Sequence, residues 1–242
     1  MADETTSTAE STSVGSGFLG MFNAFVDPGG LAKAARSKMF WLWPLILVSI
    51  VTIVVLYLMS PYSLQVAEAR MAQQNIPAER MDQARHMAEL ITKVIPIVAP
   101  IGFVVVLVIL SALVNLASSM VGLRTKFRDV FSLMAACSLI TCLQTIASLV
   151  VLRVKGDEIT SQEQMTPPFG LDIFIPAHGA LLATLNFFSI FQIWYLVILG
   201  LALAYMSGAS KGKAFAAITP AWLIPLILKI IGSFFSGGAS SS

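Results

Sequence analysis

Residues 95–121 read IPIVAPIGFVVVLVILSALVNLASSMV, an apolar run without a single charged side chain. A hydrocarbon core of about 30 Å takes about 20 helical residues to cross, so this stretch is long enough to span a bilayer. Four more runs of the same kind lie at about 40–60, 130–152, 185–206 and 214–235. Backbone polar groups in lipid must be satisfied within the segment, which predicts helices. The fold class expected is therefore all-α, a polytopic membrane protein with five transmembrane helices.

Working outward, the rest of the chain is small. Apolar residues make up 57% and charged residues 12%, whereas a soluble domain carries about 25% charged. The net charge of +2 is dispersed over short loops, which argues against a nucleic-acid partner. Residues 1–17 are polar and acidic and read as a disordered tail, with nothing apolar to offset their ordering entropy. They lack a basic n-region, so the first span is expected to be a retained anchor, not a cleaved signal. The organisation expected is a tail at 1–17, cytoplasmic interfacial helices at 18–39, a five-span domain at 40–235 and a flexible tail at 236–242.

Three short connections are basic: Lys33, Arg36 and Lys38 before the first span, Arg124, Lys126 and Arg128 after the second, and Lys211 and Lys213 after the fourth. Positive residues near span ends mark the cytoplasmic side, which places the N-terminus inside and the C-terminus outside. Ahead of the first span, Phe18, Met21, Phe22 and Phe25 recur at helical spacing on a segment too short to cross. This predicts a helix in the inner interface, broken at Asp27-Pro28-Gly29-Gly30 and followed by a second short helix whose cations meet lipid headgroups.

The connection 61–94 is helical in pattern on both sides of Asn75-Ile76-Pro77, with Met81, Ala84, Ala88, Ile91 and Ile95 at spacings of three and four. It predicts a helical hairpin outside the membrane, where a partner could dock or where the charges merely meet water. The connection 153–184 changes character halfway, from a polar, turn-rich Lys155–Thr166 to the apolar PPFGLDIFIPA (167–177), too short to span and expected to lie against the outer interface or the outer helix ends.

No Asp or Glu lies deep in any of the five runs, which argues against an ion-coupled transporter. Ser111, Asn115, Ser118, Gln144, Asn186 and Gln192 are expected to make interhelical hydrogen bonds, with the lining of a permeation path as the alternative. Gly200, Ala204 and Gly208 form a small-residue stripe suited to close helix approach. Trp194 and Trp222 sit too deep for an interfacial belt and are expected to pack between helices. Pro220 and Pro225 should kink the fifth span. Cys137 and Cys142 read as apolar filler.

Catalytic motifs fail on inspection. His86 and His178 each lack a ligand-spaced companion, and Gly208-Ala-Ser-Lys-Gly-Lys213 lacks the spacer and hydroxyl of a phosphate loop. Ser210 and Lys213 have the spacing of a Ser-x-x-Lys pair without its companion motifs. No enzyme activity, cofactor or metal is expected.

Three stretches, FVDPGGLAKAARSKMFWLWPLIL (25–47), LVNLASSMVGLRTKFRDVFSLMAACSLI (113–140) and LNFFSIFQIWYLVILGLALAYMSGASKGKAFAAI (185–218), carry a recognisable order of features. These are Phe25 with Pro28, Trp43 with Pro44, Gly122, Phe191 with Trp194, and Lys213 with Ala214. In that order the chain resembles the Yip family of Ypt/Rab-interacting membrane proteins, in its bacterial branch. The resemblance implies five spans and a cytoplasmic N-terminus. Eukaryotic members are non-enzymatic traffic factors that bind prenylated Rab GTPases, but the short N-terminal region and the missing DLYGP-like motif keep Rab binding from being carried over. Bacterial members encoded beside ABC-type exporters suggest a scaffold or accessory subunit in the inner membrane. Its expected partners are membrane lipids and either a membrane protein, such as an ABC-type exporter and its adaptor, or another copy of itself. The alternative is a pore or carrier for a neutral or apolar solute, lined by Asn115, Gln144, Asn186 and Gln192.

Overall fold

The computed structural model describes residues 17–73, 78–155, 159, 164–165, 167–175 and 179–237, and no strand occurs among them. Residues 1–16, 74–77, most of 156–166, 176–178 and 238–242, and with them Asn75-Ile76-Pro77, His178 and most of the two expected tails, lie outside the described residues. Helices long and apolar enough to cross a membrane cover Leu42–Gln73, Arg80–Met120, Phe127–Lys155, Ile190–Ser207 and Lys211–Ser233. The protein is an all-α polytopic membrane protein. Its helices are α1 (Pro28–Ala34), α2 (Leu42–Gln73), α3 (Ala78–Met120), α4 (Phe127–Lys155), α5 (Gly179–Phe187), α6 (Ile190–Ser207), α7 (Lys211–Ala217) and α8 (Thr219–Gly237). The last two together make the fifth span.

Local chemistry sets the boundaries. Pro61 sits inside α2 and has no N–H for the Tyr57 carbonyl four residues back, and the Ser60 hydroxyl donates to that carbonyl instead at 2.8 Å. After α3 the chain turns through Gly122 at φ 79°, and the Leu123 N–H reaches back to the Ser118 carbonyl at 2.8 Å, the closing bond of a Schellman turn. The fourth apolar run is not one helix. It breaks after Phe187, and α6 begins at the N-cap Ser189, whose hydroxyl accepts the Gln192 N–H at 3.1 Å. Ser189-Ile-Phe-Gln192 has the spacing of a capping box, the sequence signal that marks this start. The fifth run likewise breaks at Ile218, and Pro220 takes the second position of α8, where its missing N–H costs nothing.

Packing centres on α4. Residues 129–140 are buried without interruption, so the first half of this helix is enclosed on every side. α2, α3 and α6 all pack against it, while α8 lies outside, against α3 and α5. Lipid tails are as apolar as leucine, so this enclosure reflects close packing of Leu133, Met134 and Ile140, not exclusion from water. Over 43 residues α3 is about 64 Å long, roughly twice the hydrocarbon thickness. Its surplus pairs with α2 as the expected hairpin, bridged by Arg85 and Glu68 at 3.0 Å. A small separate cluster of Val66, Leu152 and Ile159 packs where α2, α4 and the second long connection meet.

Candidate functional site

The segment ahead of the first span begins and ends at the basic face, but its middle is drawn into the bundle. A helical turn at 17–20 leads into a 3-10 turn, Met21–Ala24, and then into α1. Met21, Ala24, Leu31 and Ala35 have no exposed surface. Of the aromatic stripe read from the sequence, Phe18 packs edge-on against Trp43 with centroids 5.8 Å apart, Phe25 lies 5.9 Å from Trp194, and Phe22 remains partly exposed. The Trp194 indole N–H donates to the Phe25 carbonyl at 3.0 Å. The Arg36 guanidinium donates to the Met206 carbonyl at 2.6 Å.

Those two bonds give the segment its depth. Trp194 and Met206 stand twelve residues apart on α6, about 18 Å along the helix. The chain therefore enters beside Trp43, climbs to the level of Trp194, turns at Asp27 and descends to the level of Met206. It is a wedge folded back on itself, and it supplies part of the wall around the buried half of α4, which the Met21–Ala24 turn touches directly. Irregular backbone is tolerated at membrane depth when protein covers it, and the Trp194 indole supplies one such partner to the turn.

The sequence makes the turn where it does for three reasons. Asp27 is the N-cap of α1, its carboxylate accepting the Gly30 N–H at 2.9 Å, and Pro28 starts the helix at a position where an N–H would go unused. A Cβ on Gly30 would collide with the Asp27 carboxylate and the Asn23 amide. Lower down, the ascending and descending arms cross so closely that a Cβ on Gly20 would lie 2.8 Å from that of Ala34.

Arginines fasten the base. Arg128, at the start of α4, donates to the Arg36 carbonyl at 2.9 Å and pairs with Asp129 at 3.1 Å. Arg36 itself sits at the C-terminal end of α6, the favourable pole of that helix for a cation. The basic connections before α2, after α3 and after α6 are thus gathered on one face.

The other candidate residues separate into two ends. Asn115 accepts from Thr125 at 3.1 Å near the basic face, beside the Gly122 turn. At the opposite end the Asn186 amide donates to Asp172 at 3.0 Å and its oxygen accepts from Lys229 at 2.7 Å. Gln144 accepts from the Ser189 hydroxyl at 3.3 Å, and the Gln192 backbone completes the cap of α6. The polar residues of the spans do not share one lining. Phe169 stacks edge-on against Phe191, and Asp172 ties the loop carrying it to Asn186, leaving Leu171, Ile173, Phe174 and Ile175 exposed near the helix ends.

The small-residue stripe divides its work. Gly200 makes room for the Phe215 ring, whose atoms would lie 2.8 Å from an added Cβ, so a side chain and not a helix backbone occupies the space. Ala204 is buried, and Gly208 caps α6 in the left-handed conformation at φ 66°. Pro44 is buried near the start of α2, and Lys213 is exposed at the basic face. Reading the sequence missed Gly20, Ser189 and the position of Asp27 beside α6, and took Arg36 and Arg128 only as markers of the basic face. The Asp-Pro cap and the Ser-x-x-Gln box were visible signals for two of these.

The sequence model of the Yip1 domain matches residues 22–232, from the wedge to the end of the fifth span. The chain belongs to the Yip1 domain family. The match starts inside the wedge and covers it from Phe22 onward, together with the five spans. No curated protein and no solved structure matches the chain significantly.

Proposed function

We propose that this Yip1-domain protein is a non-enzymatic membrane scaffold or accessory subunit, assisting a transport or efflux complex or the organisation of the membrane around it. The observation that carries this reading is where the polar groups go. Asn115 and Asn186 are spent on structural hydrogen bonds at opposite ends of the bundle, and the helix between them, α4, is enclosed by packed side chains over residues 129–140. A path lined by Asn115, Gln144, Asn186 and Gln192 needs these groups to converge, and Asn115 stands at the end opposite to Asn186. A holding role needs a stable body with surfaces directed outward, which the hairpin of α2 and α3 provides.

The reading places the protein in a bacterial inner membrane with the basic face in the cytoplasm, following the positive-inside rule, and with the hairpin on the far side. An ABC-type exporter with its adaptor is the partner class favoured, with self-association as the other outcome. Gentle-detergent affinity purification followed by mass spectrometry tests it. The expected result is a stoichiometric membrane partner that is lost when the hairpin is shortened by whole heptads from both arms. Recovery of the protein alone, under conditions that keep known complexes together, would overturn it.

A further inference from the structure

The wedge carries a carboxylate into the membrane. Asp27 lies two residues beyond Phe25, whose carbonyl is held by Trp194, so it stands within about 8 Å of a point some 18 Å above the basic face. The spans contain no acid at that depth, and Asp27 belongs to none of them. Its carboxylate is exposed, with the Gly30 N–H as its hydrogen-bonded neighbour. Lys33 also faces outward, but it lies about 9 Å nearer the basic face and can extend its ammonium to the headgroups. Ionised carboxylates within the hydrocarbon are costly and pair with cations.

Beside Asp27 lies the Asn23 amide, and the ridge below it is apolar. Leu19, Phe22 and Val26, spaced three and four residues apart, are 67%, 40% and 83% exposed and form a ridge on the outer side of the wedge. A membrane-spanning helix laid on this ridge would meet apolar contacts and one negative charge. A second copy with the same topology presents the same side chains at each depth, and among the described residues it offers no free cation there, since Lys33 lies nearer the basic face and Lys229 is held by Asn186 at 2.7 Å towards the opposite end. We infer that the face formed by Leu19, Phe22, Val26 and Asp27 is a docking surface for a transmembrane helix of a different protein, one that carries a Lys or Arg at the depth of Asp27. This deepens the scaffold reading by naming the chemistry of the partner, and it rests on that reading.

The test is photo-crosslinking in native membranes from benzoylphenylalanine placed at Val26 of the full chain, with Asp27 intact and as Asp27→Asn. Asparagine caps a helix about as well as aspartate, so this variant removes the charge and keeps the turn. The expected result is a protein adduct whose cross-linked peptide lies in a membrane span containing Lys or Arg, with a yield reduced at least about tenfold by Asp27→Asn. Adducts to lipid alone, to a second copy, or to a span without a basic residue would overturn the inference, as would a yield indifferent to the charge. The affinity purification above is read in parallel on Asp27→Asn. A partner retained there while the cross-link fails sinks this docking surface and leaves the scaffold reading intact, whereas no partner in either experiment sinks both.

Discussion

Gly20→Ala puts the packing of the wedge to a quantitative test. The new Cβ would stand 2.8 Å from the Cβ of Ala34, where carbon atoms in contact prefer about 3.5–4.0 Å. The two arms must therefore part by about 1 Å over a crossing whose neighbours, Met21, Leu31 and Ala35, are fully buried. Overpacking of this kind costs about 1–3 kcal/mol. Helix propensity acts in the opposite direction, since Gly20 has ordinary right-handed angles (φ −60°, ψ −24°) and alanine there gains about 0.5–1 kcal/mol. Set against each other, the two leave a net loss of up to about 2.5 kcal/mol. Ala34→Gly in the same chain vacates the contested space, and although it costs about 1 kcal/mol alone, it should restore much of what Gly20→Ala removes. Denaturant unfolding in micelles, run as a double-mutant cycle, measures the coupling directly. Losses that simply add would refute the close crossing of the arms.

Other substitutions probe the remaining joints. Trp194→Phe keeps a ring beside Phe25 and deletes the indole donor, so thermal unfolding should show a loss of about 1–3 kcal/mol, the cost of leaving the Phe25 carbonyl without that donor. Gly208→Ala forces a side chain into the left-handed region at φ 66° and should cost about 1–2 kcal/mol, with Gly208→Asn visibly milder in the same assay. Gly200→Val collides with the Phe215 ring and should destabilise by about 1–3 kcal/mol, while Phe215→Ala in the same chain should return part of the loss.

How far the sequence could be read depended on the kind of signal. Spans declare themselves through length and lack of charge, so five were legible, and the basic loops predicted which connections would be neighbours. Breaks inside apolar runs were harder, because the residues on both sides of Ser189 and of Ile218 are equally greasy and composition does not register the change of direction. The capping box at Ser189 and the proline at 220 were the only local marks. The wedge was legible as a helical aromatic stripe, but its depth was not. A short apolar helix can lie on lipid or enter a bundle, and what decides between them is non-local: Trp194 and Met206 reach Phe25 and Arg36 across 169 and 170 residues of sequence. For the same reason Asp27 read as a turn residue, when the fold carries that turn up beside α6 to the level of Trp194.

The depth of Val26 tests this account most directly. A nitroxide at that position, in purified protein reconstituted into liposomes, reports its depth through the ratio of its collisions with oxygen, which partitions into lipid, to those with a water-soluble nickel chelate. The re-entrant wedge predicts strong exposure to oxygen, protection from nickel and a depth of about 18 Å from the basic face, matching a label at Ile193 on α6 and unlike one at Lys38. A label at Val26 that collides with nickel as freely as one at Lys38 would put the segment flat on the headgroups and contradict the re-entrant path.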